Sequence, residues 1–217
     1  MPENVSADEL DYVRIDRKLI ERAVEALEQA KSAGLKVVTA ESCTGGLIAT
    51  VLSEAPGAAE YFDGGFVTYT PEQKCAALRL DAKLIKECGA VSAQVADAMA
   101  RGALACSQAD IAVSVTGVAG PEPDERGNPV GLVYLACARK AGKCVGVKRE
   151  YGAIGRSRIR YEAASEALKL IAGMSKPSKH RGRSRRAGDQ ILSSNYGWRT
   201  CMDALAAYQT AAASRRS

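Results

Sequence analysis

The sequence has little of what most hydrolytic and metal-dependent enzymes use for their chemistry. Its one histidine, His180, lies in a basic, turn-rich segment near the C-terminus. A Ser-His-Asp triad, a Cys-His pair and a His-rich metal site therefore have no plausible donor in the rest of the chain. No serine lies in a Gly-x-Ser-x-Gly motif, which excludes a nucleophile elbow of the α/β-hydrolase kind. A serine nucleophile would need another base here, and lysine is the natural candidate.

Paired cysteines and long apolar runs are also absent. The seven cysteines include no Cys-x-x-Cys pair, and most of them fall in apolar or amphipathic runs. This pattern favours reduced thiols over a disulfide framework and argues against structural zinc. No apolar run approaches the length of a membrane span, and the segment from Met1 to Asn4 lacks the basic and apolar regions of a signal peptide. We therefore expect a cytoplasmic protein that makes no membrane contact and needs no metal or redox cofactor.

Positive charge is concentrated at the C-terminal end of the chain. From Ser175 onward there are nine Lys and Arg against two Asp, a net charge of +7, whereas the whole chain carries +5 and residues 1–174 therefore carry −2. With 217 residues and 47% hydrophobic content, the composition predicts one sizeable core. We expect an N-terminal extension over 1–14, a folded domain over 15–174 and a basic, disordered tail over 175–217. This tail is interpreted as a solvated extension, and it is the only part of the chain expected to offer a surface to nucleic acid.

The body of the chain alternates between patterns typical of helices and of strands, without an internal repeat. Asp16 and Ser92 stand at helix N-cap positions, and Pro71 stands at a first helical position. Apolar patterning predicts strands over 37–40, 66–70, 110–116, 132–138 and 144–150. It predicts helices over 17–32, 47–52, 92–107 and 157–172, and a further helix from residue 71. The predicted fold class is α/β, a single layered domain with a mixed β-sheet flanked by helices on both faces, followed by the basic C-terminal tail.

The turn after the first predicted strand holds two nucleophiles. Ser42 and Cys43 stand directly before Gly45 and Gly46, which open an apolar helical run. A hydroxyl at a helix N-terminus lies beside unpaired backbone N–H groups, and we expect those around Thr44, Gly45 and Gly46 to receive an oxyanion. In a second interpretation Ser42 or Thr44 only caps the helix. In a third, the helix N-terminus lowers the thiol pKa of Cys43, which then acts as the nucleophile.

Three loops with polar residues or glycines follow neighbouring predicted strands, over 42–46, 69–74 and 116–121. Open α/β sheets bind ligands at the carboxyl ends of their strands. Taken singly, Lys74 reads as a solvated helix residue and the loop over 116–121 as an ordinary Gly/Pro loop. Because all three loops meet at one edge of the sheet if the strands are neighbours, together they predict a site.

Five segments in this order carry a resemblance to a known family: Thr39–Gly46 (TAESCTGG), Gly65–Lys74 (GFVTYTPEQK), Gly89–Ser92 (GAVS), Ser114–Pro121 (SVTGVAGP) and Pro129–Gly131 (PVG). They resemble the C-terminal domain of the CinA competence/damage-inducible proteins, over residues 15 to 173 of this chain. Stand-alone members of that family are nicotinamide-nucleotide amidohydrolases of pyridine-nucleotide salvage. The resemblance implies hydrolysis of the carboxamide of nicotinamide mononucleotide, giving nicotinate mononucleotide and ammonia.

The same resemblance implies roles for three site residues. Ser42 is the implied nucleophile, and Tyr69 and Lys74 are its implied proton-handling partners. For Lys74 to act as a base near pH 7, its pKa of ~10.4 must fall by about 3 units, or ~4 kcal/mol of differential interaction. Burial against Phe66 and Val67 and a neighbouring helix N-terminus both act in that direction.

Substrate contacts also follow from the resemblance. Arg156 resembles the arginine that opens the last helix of the family, and its planar guanidinium would suit a phosphate. The other implied substrate-binding residues are Thr44, Gly45, Gly46, Thr116 and Gly117.

This chain departs from the family pattern at two places. Ala58-Ala59 stand where the family often has two serines, one of them linked to the active site, and Ile154-Gly155 stand where it has Gly-Asp. With the basic tail, these departures favour an alternative function, a catalytically weak or inactive nucleotide-binding module whose tail recruits nucleic acid or a protein partner. The Ala-rich helix after Ser92 and the exposed strand edges predict a homo-oligomer.

Overall fold

The structure is a computed structural model that describes residues 13–140, 142 and 144–176. Its strands are β1 (Val37–Glu41), β2 (Phe62–Val67), β3 (Ile111–Gly117), β4 (Leu132–Arg139) and β5 (Cys144–Glu150). Its helices are α1 (Arg17–Ser32), α2 (Leu47–Ser53), α3 (Ala58–Tyr61), α4 (Pro71–Leu78), α5 (Ala82–Cys88), α6 (Ala93–Ala105) and α7 (Arg156–Ser175). The predicted basic tail lies outside the described residues except for Ser175 and Lys176.

The five strands form one mixed sheet in the order β2-β1-β3-β4-β5. β1 pairs in parallel with both β2 and β3, whereas β3–β4 and β4–β5 are antiparallel. The chain leaves β1 for β2 on one side and returns with β3 on the other, so a topological switch point lies at the carboxyl end of β1. The predicted mixed α/β sheet is confirmed, and the Ser42 turn lies at its switch point.

Helices cover both faces of the sheet. One core contains α1, α2 and α7 and packs against the sheet face that presents Val37, Val113 and Leu135. The other contains α6, with residues of α4 and α5, and packs against the face that presents Val38 and Ala112. Because the central strands are buried on both faces, they read as continuous apolar runs rather than as alternating ones.

Local capping explains where several helices begin. The Asp16 carboxylate accepts a hydrogen bond from the Leu19 N–H at 2.9 Å and caps α1. The Ser92 hydroxyl accepts from the Val95 N–H at 3.3 Å and caps α6. These two starts are confirmed, as is that of α4, where Pro71 occupies a first-turn position.

Strand β2 begins four residues and ends three residues earlier than predicted, over Phe62–Val67 instead of 66–70. The Gly64-Gly65 pair is typical of a turn, but here it is part of the strand. A Cβ at Gly65 would lie 2.5 Å from the Thr39 Oγ1 of β1, so glycine permits the close pairing of the two strands. Strand β2 ends at Val67, and residues 68–70 connect it to α4.

The sequence patterns missed two short helices, α3 and α5, and placed the end of α7 too early. Helix α7 continues to Ser175, which is buried and whose hydroxyl donates to the Ile171 carbonyl at 2.8 Å. In the described part of the chain, no helix is both long and apolar enough to cross a membrane. None of the six cysteines in that part forms a disulfide bond.

Candidate active site

Ser42 lies directly after β1, at the switch point of the sheet. Its backbone N–H donates to the Val115 carbonyl at 3.0 Å, which ties the residue to the end of the neighbouring strand β3. The side chain is 8% exposed, and its Oγ lies 2.9 Å from the Nζ of Lys74. The nucleophile implied by the sequence is therefore held beside a lysine 32 positions away in the chain.

Lys74 comes from the first half of α4, which Thr70 caps by accepting a hydrogen bond from the Gln73 N–H at 3.2 Å. The lysine side chain is 1% exposed. Its Nζ donates to the Thr68 carbonyl at 2.9 Å and to Ser42 Oγ at 2.9 Å. Burial lowers the pKa of Lys74 from 10.5 to about 8, because the low-dielectric surroundings disfavour the ammonium form.

This pair has the arrangement that a Ser-Lys nucleophilic mechanism requires. A base must lie within hydrogen-bond reach of the proton that it removes, and the distance of 2.9 Å meets that condition. A lysine with a pKa near 8 is neutral in part near physiological pH and can accept the hydroxyl proton. The interpretation of Lys74 as a solvated helix residue is wrong, since the side chain is buried.

Glu41, which the sequence interpretation did not single out, organises the turn around Ser42. Its side chain is fully buried and accepts hydrogen bonds from the N–H groups of Gly46, Ile48 and Ala49 at 3.0, 3.0 and 2.8 Å. The Thr39 hydroxyl is a fourth partner at 3.2 Å. A carboxylate four residues before the glycine pair that opens a helix is the signal in the sequence, since anionic side chains favour helix N-termini.

The contacts of Glu41 correct two expectations about this turn. The N–H of Gly46 donates to Glu41 and the N–H of Gly45 donates to the Ser42 carbonyl at 3.0 Å, so neither faces an oxyanion as expected. The cap of α2 is provided by Glu41, so the interpretation that Ser42 or Thr44 only caps the helix is wrong as well. Gly45 and Gly46 adopt left-handed conformations, with φ of 61° and 91°, that let the chain turn around this carboxylate.

Cys43 does not fit the role of the nucleophile. The residue is 5% exposed and is part of the core that contains α1, α2 and α7. Burial raises the pKa of its thiol from 9.0 to about 12, so the thiolate does not form near neutral pH. Successive residues of an extended segment point in opposite directions, and here Ser42 is the one that meets Lys74.

Tyr69 and Arg156 join the loops at the entrance of the site. The Tyr69 side chain is 55% exposed, and its hydroxyl accepts a hydrogen bond from Arg156 Nη2 at 2.9 Å. Arg156 Nη1 donates to the Gly120 carbonyl at 2.7 Å. The Tyr69 hydroxyl therefore faces Arg156, whereas the Tyr69 carbonyl lies 3.5 Å from Ser42 Oγ. The structure therefore brings Arg156, which is predicted to bind phosphate, into contact with Tyr69, which is predicted to handle protons.

The other predicted substrate contacts are less accessible. The Thr116 side chain is buried and its hydroxyl donates to the Ala90 carbonyl at 2.7 Å. At Gly117 a Cβ would lie 2.7 Å from the Leu132 carbonyl oxygen, which gives this glycine a packing role. Thr44 is fully buried, and its carbonyl accepts a hydrogen bond from Arg160 at 2.9 Å. Substrate binding by these residues stays a prediction.

The family model of the CinA C-terminal domain matches residues 17–175. The chain is 39% identical to the nicotinamide-nucleotide amidohydrolase PncC of Enterobacter agglomerans over 70% of its own length and 93% of that protein. It is 36% identical to the protein of the same name from Escherichia coli K12, over 72% and 94% of the two chains. It is 50% identical to the CinA-like protein of Colwellia psychrerythraea, but spans only 26% of that protein's length. The chain likewise covers 30% of two Caldicellulosiruptor competence-damage inducible relatives.

Solved structures show the same fold. The competence/damage inducible protein CihA from Agrobacterium tumefaciens is 40% identical, with a TM-score of 0.71 over 77% of this chain and all of that one. A CinA superfamily protein from Escherichia coli is 31% identical, with a TM-score of 0.68 over 79% of this chain.

The mixed sheet, the switch-point turn and the buried serine–lysine pair define a helix-flanked α/β domain with a candidate nucleophile–base pair at its switch point. This chain belongs to the CinA C-terminal domain family. Its relatives include proteins named nicotinamide-nucleotide amidohydrolase.

Proposed function

We propose that this protein hydrolyses the carboxamide of nicotinamide mononucleotide to nicotinate mononucleotide and ammonia. The observation that carries the proposal is the hydrogen bond of 2.9 Å between Lys74 Nζ and Ser42 Oγ, made by a lysine whose pKa burial lowers to about 8. The names of the relatives from Enterobacter agglomerans and Escherichia coli support this choice of substrate.

In the first half of the reaction, neutral Lys74 takes the hydroxyl proton of Ser42 as the Ser42 oxygen attacks the carboxamide carbon. The C=O electron pair moves to oxygen, giving a tetrahedral intermediate. The new ammonium of Lys74 lies close to this negative charge, and it then gives its proton to the leaving nitrogen. The C–N bond breaks, ammonia departs and Ser42 carries the nicotinate acyl group.

In the second half, water replaces ammonia. Lys74, neutral again, takes a proton from water as the water oxygen attacks the ester carbon. Collapse of the second intermediate breaks the bond to Ser42 Oγ, and Lys74 returns the proton to that oxygen. Nicotinate mononucleotide leaves, and both residues regain their starting protonation states. The backbone carbonyl of Thr68 keeps Lys74 Nζ directed at Ser42 through both halves.

The test is direct. The purified full chain is incubated with nicotinamide mononucleotide, and ammonia and nicotinate mononucleotide are quantified over time. We expect the two products in equal amounts, and mass spectrometry of a quenched reaction should find the acyl group on the peptide that contains Ser42. Tight binding of the mononucleotide without either product would instead support the alternative of a nucleotide-binding module.

A further inference from the structure

The guanidinium of Arg156 bridges two loops that reach the site from different strands. It donates to the Gly120 carbonyl in the loop after β3 and to the Tyr69 hydroxyl in the connection after β2. Arginine has five N–H donors in a fixed plane, so these two bonds leave three for another acceptor. Arg156 is partly exposed, and Gly155, directly before it, provides no side-chain cap for α7. An anion can therefore reach the guanidinium while both bonds persist.

Tyr69 connects this bridge to the reacting groups through the backbone. Its carbonyl oxygen lies 3.5 Å from Ser42 Oγ. The carbonyl of the preceding residue, Thr68, accepts the hydrogen bond of Lys74 Nζ. The Thr68 carbonyl thus faces Lys74 and the Tyr69 carbonyl faces Ser42, while the hydroxyl of the half-exposed Tyr69 side chain accepts a hydrogen bond from Arg156.

We propose that Arg156 is a positioning residue that couples a bound phosphate to the orientation of Ser42 and Lys74 through Tyr69. This inference rests on the proposed function. A phosphate on the remaining N–H groups fixes the guanidinium in its bridging position, and the guanidinium in turn fixes Tyr69 and the two carbonyl groups. Binding energy from a part of the substrate far from the carboxamide then appears in kcat and not only in KM.

The coupling predicts a difference between two substrates that share the same carboxamide. Nicotinamide riboside lacks the phosphate, so it brings no anion to the guanidinium of Arg156. We expect its kcat to be about 10- to 100-fold below that of the mononucleotide, in addition to a higher KM, because charge-assisted hydrogen bonds to phosphate are strong. A phosphate that only adds affinity would change KM alone.

The experiment restores the missing anion as a separate molecule. Turnover of nicotinamide riboside by the full chain is measured with increasing inorganic phosphite, and we expect kcat to rise about tenfold in the parent protein. Tyr69→Phe removes the hydroxyl that joins the bridge, and Arg156→Lys removes the planar fork, so each should lose this activation relative to its own rate without phosphite. Arg158→Lys is the matched control, because Arg158 is exposed on the same helix and pairs with Glu162 at 2.6 Å. This control should keep the activation.

Two outcomes would overturn the coupling. Equal kcat values for riboside and mononucleotide would do so, as would equal phosphite activation in the parent and in Tyr69→Phe. A second readout does not depend on turnover: amide hydrogen exchange over residues 66–74 should slow on addition of phosphite in the parent but not in Tyr69→Phe. If phosphite slows amide exchange but no ammonia is released from the mononucleotide, the proposed function is contradicted and the coupling is not. If the parent is active and phosphite leaves amide exchange unchanged, the coupling alone is contradicted.

Discussion

The ends of β1 and β2 each lead to a buried charged residue, and the protein surrounds the two residues differently. Glu41 accepts hydrogen bonds from three backbone N–H groups and one hydroxyl. Lys74 donates to one hydroxyl and one carbonyl, both neutral. None of the ion pairs among the described residues includes Lys74. The carboxylate has the donors that a buried anion needs, whereas the lysine forms no direct ion pair with a described carboxylate.

This difference gives the two residues different roles: Glu41 stabilises the fold, and Lys74 can take up and release a proton. The Glu41 carboxylate joins β1 to the start of α2 and lies at the positive end of a helix, so it stabilises the turn in which Ser42 stands. The lysine is kept in surroundings that favour its neutral form, with its pKa lowered to about 8. A proton can therefore move at Lys74 while the turn that carries Ser42 stays fixed. Five predictions test this division and the boundary of the folded domain, from the largest expected effect to the smallest.

Removal of the nucleophile should have the largest effect. Ser42→Ala should lower turnover of nicotinamide mononucleotide about 10⁴-fold or more with the fold retained, because the proposed acyl intermediate forms on the Ser42 oxygen. Cys43→Ala is the matched control, and it should keep turnover within about threefold while losing about 1 kcal/mol of stability from a small core cavity. Initial rates and thermal unfolding measure both variants. The reverse pattern would transfer the role of nucleophile to Cys43.

Replacement of the base should lower turnover by about 10² to 10⁴. Lys74→Arg keeps the positive charge, but a guanidinium does not give up its proton near neutral pH and cannot accept one from Ser42. Near-normal turnover in this variant would rule out the Ser-Lys mechanism. Lys74→Met controls for the fold: it removes a buried cation, so its midpoint of thermal unfolding at pH 7 should be no lower than that of the parent while its activity is lost.

The pH dependence of the parent tests the same residue without a substitution. Because burial lowers the pKa of Lys74 from 10.5 to about 8, turnover should rise with pH and reach half of its plateau near pH 8. Between pH 8 and 10.5 the folded state binds fewer protons at Lys74 than the unfolded state does, so the free energy of unfolding should rise with pH across that range. Chemical denaturation should show this rise in the parent relative to Lys74→Met. Equal pH slopes in the two proteins would contradict the lowered pKa.

Loss of the structural charge should have a smaller effect on rate and a clear effect on stability. Glu41→Gln places an amide NH₂ against backbone donors, which should lower the free energy of unfolding by about 2 kcal/mol. Turnover should fall about tenfold because the Ser42 turn shifts, since small misplacement of reacting groups slows reactions. The half-maximal pH should stay near 8, because burial and not Glu41 causes the shift at Lys74. Glu25→Gln on the exposed face of α1 is the control.

Local chemistry explains which parts of this fold and site could be predicted from the sequence. Sequence patterns correctly predicted the apolar strands and the caps at Asp16 and Ser92, because each of these features depends on residues that are close in the sequence. The predicted position of strand β2 is too late in the sequence, because the need for glycine at Gly65 depends on its close approach to Thr39 of another strand. Ser42 and Lys74 were found through the family resemblance and the shared sheet edge. The role of Glu41 depends on a turn that folds back on its carboxylate, for which the general preference of anions for helix N-termini is the one signal in the sequence.

Removal of the C-terminal segment should have the smallest effect on the site. The family match ends at residue 175, and Ser175 is the last residue of α7. Truncation after Lys176 removes a segment with a strong excess of positive charge and none of the site residues. Turnover of nicotinamide mononucleotide and the thermal midpoint should therefore stay within error of the full chain. Nucleic-acid binding by the full chain, measured by fluorescence anisotropy, should weaken steeply with salt and disappear on truncation if this segment provides it. A truncated protein that unfolds, or that loses turnover with Ser42 and Lys74 intact, would place part of the folded domain beyond residue 176.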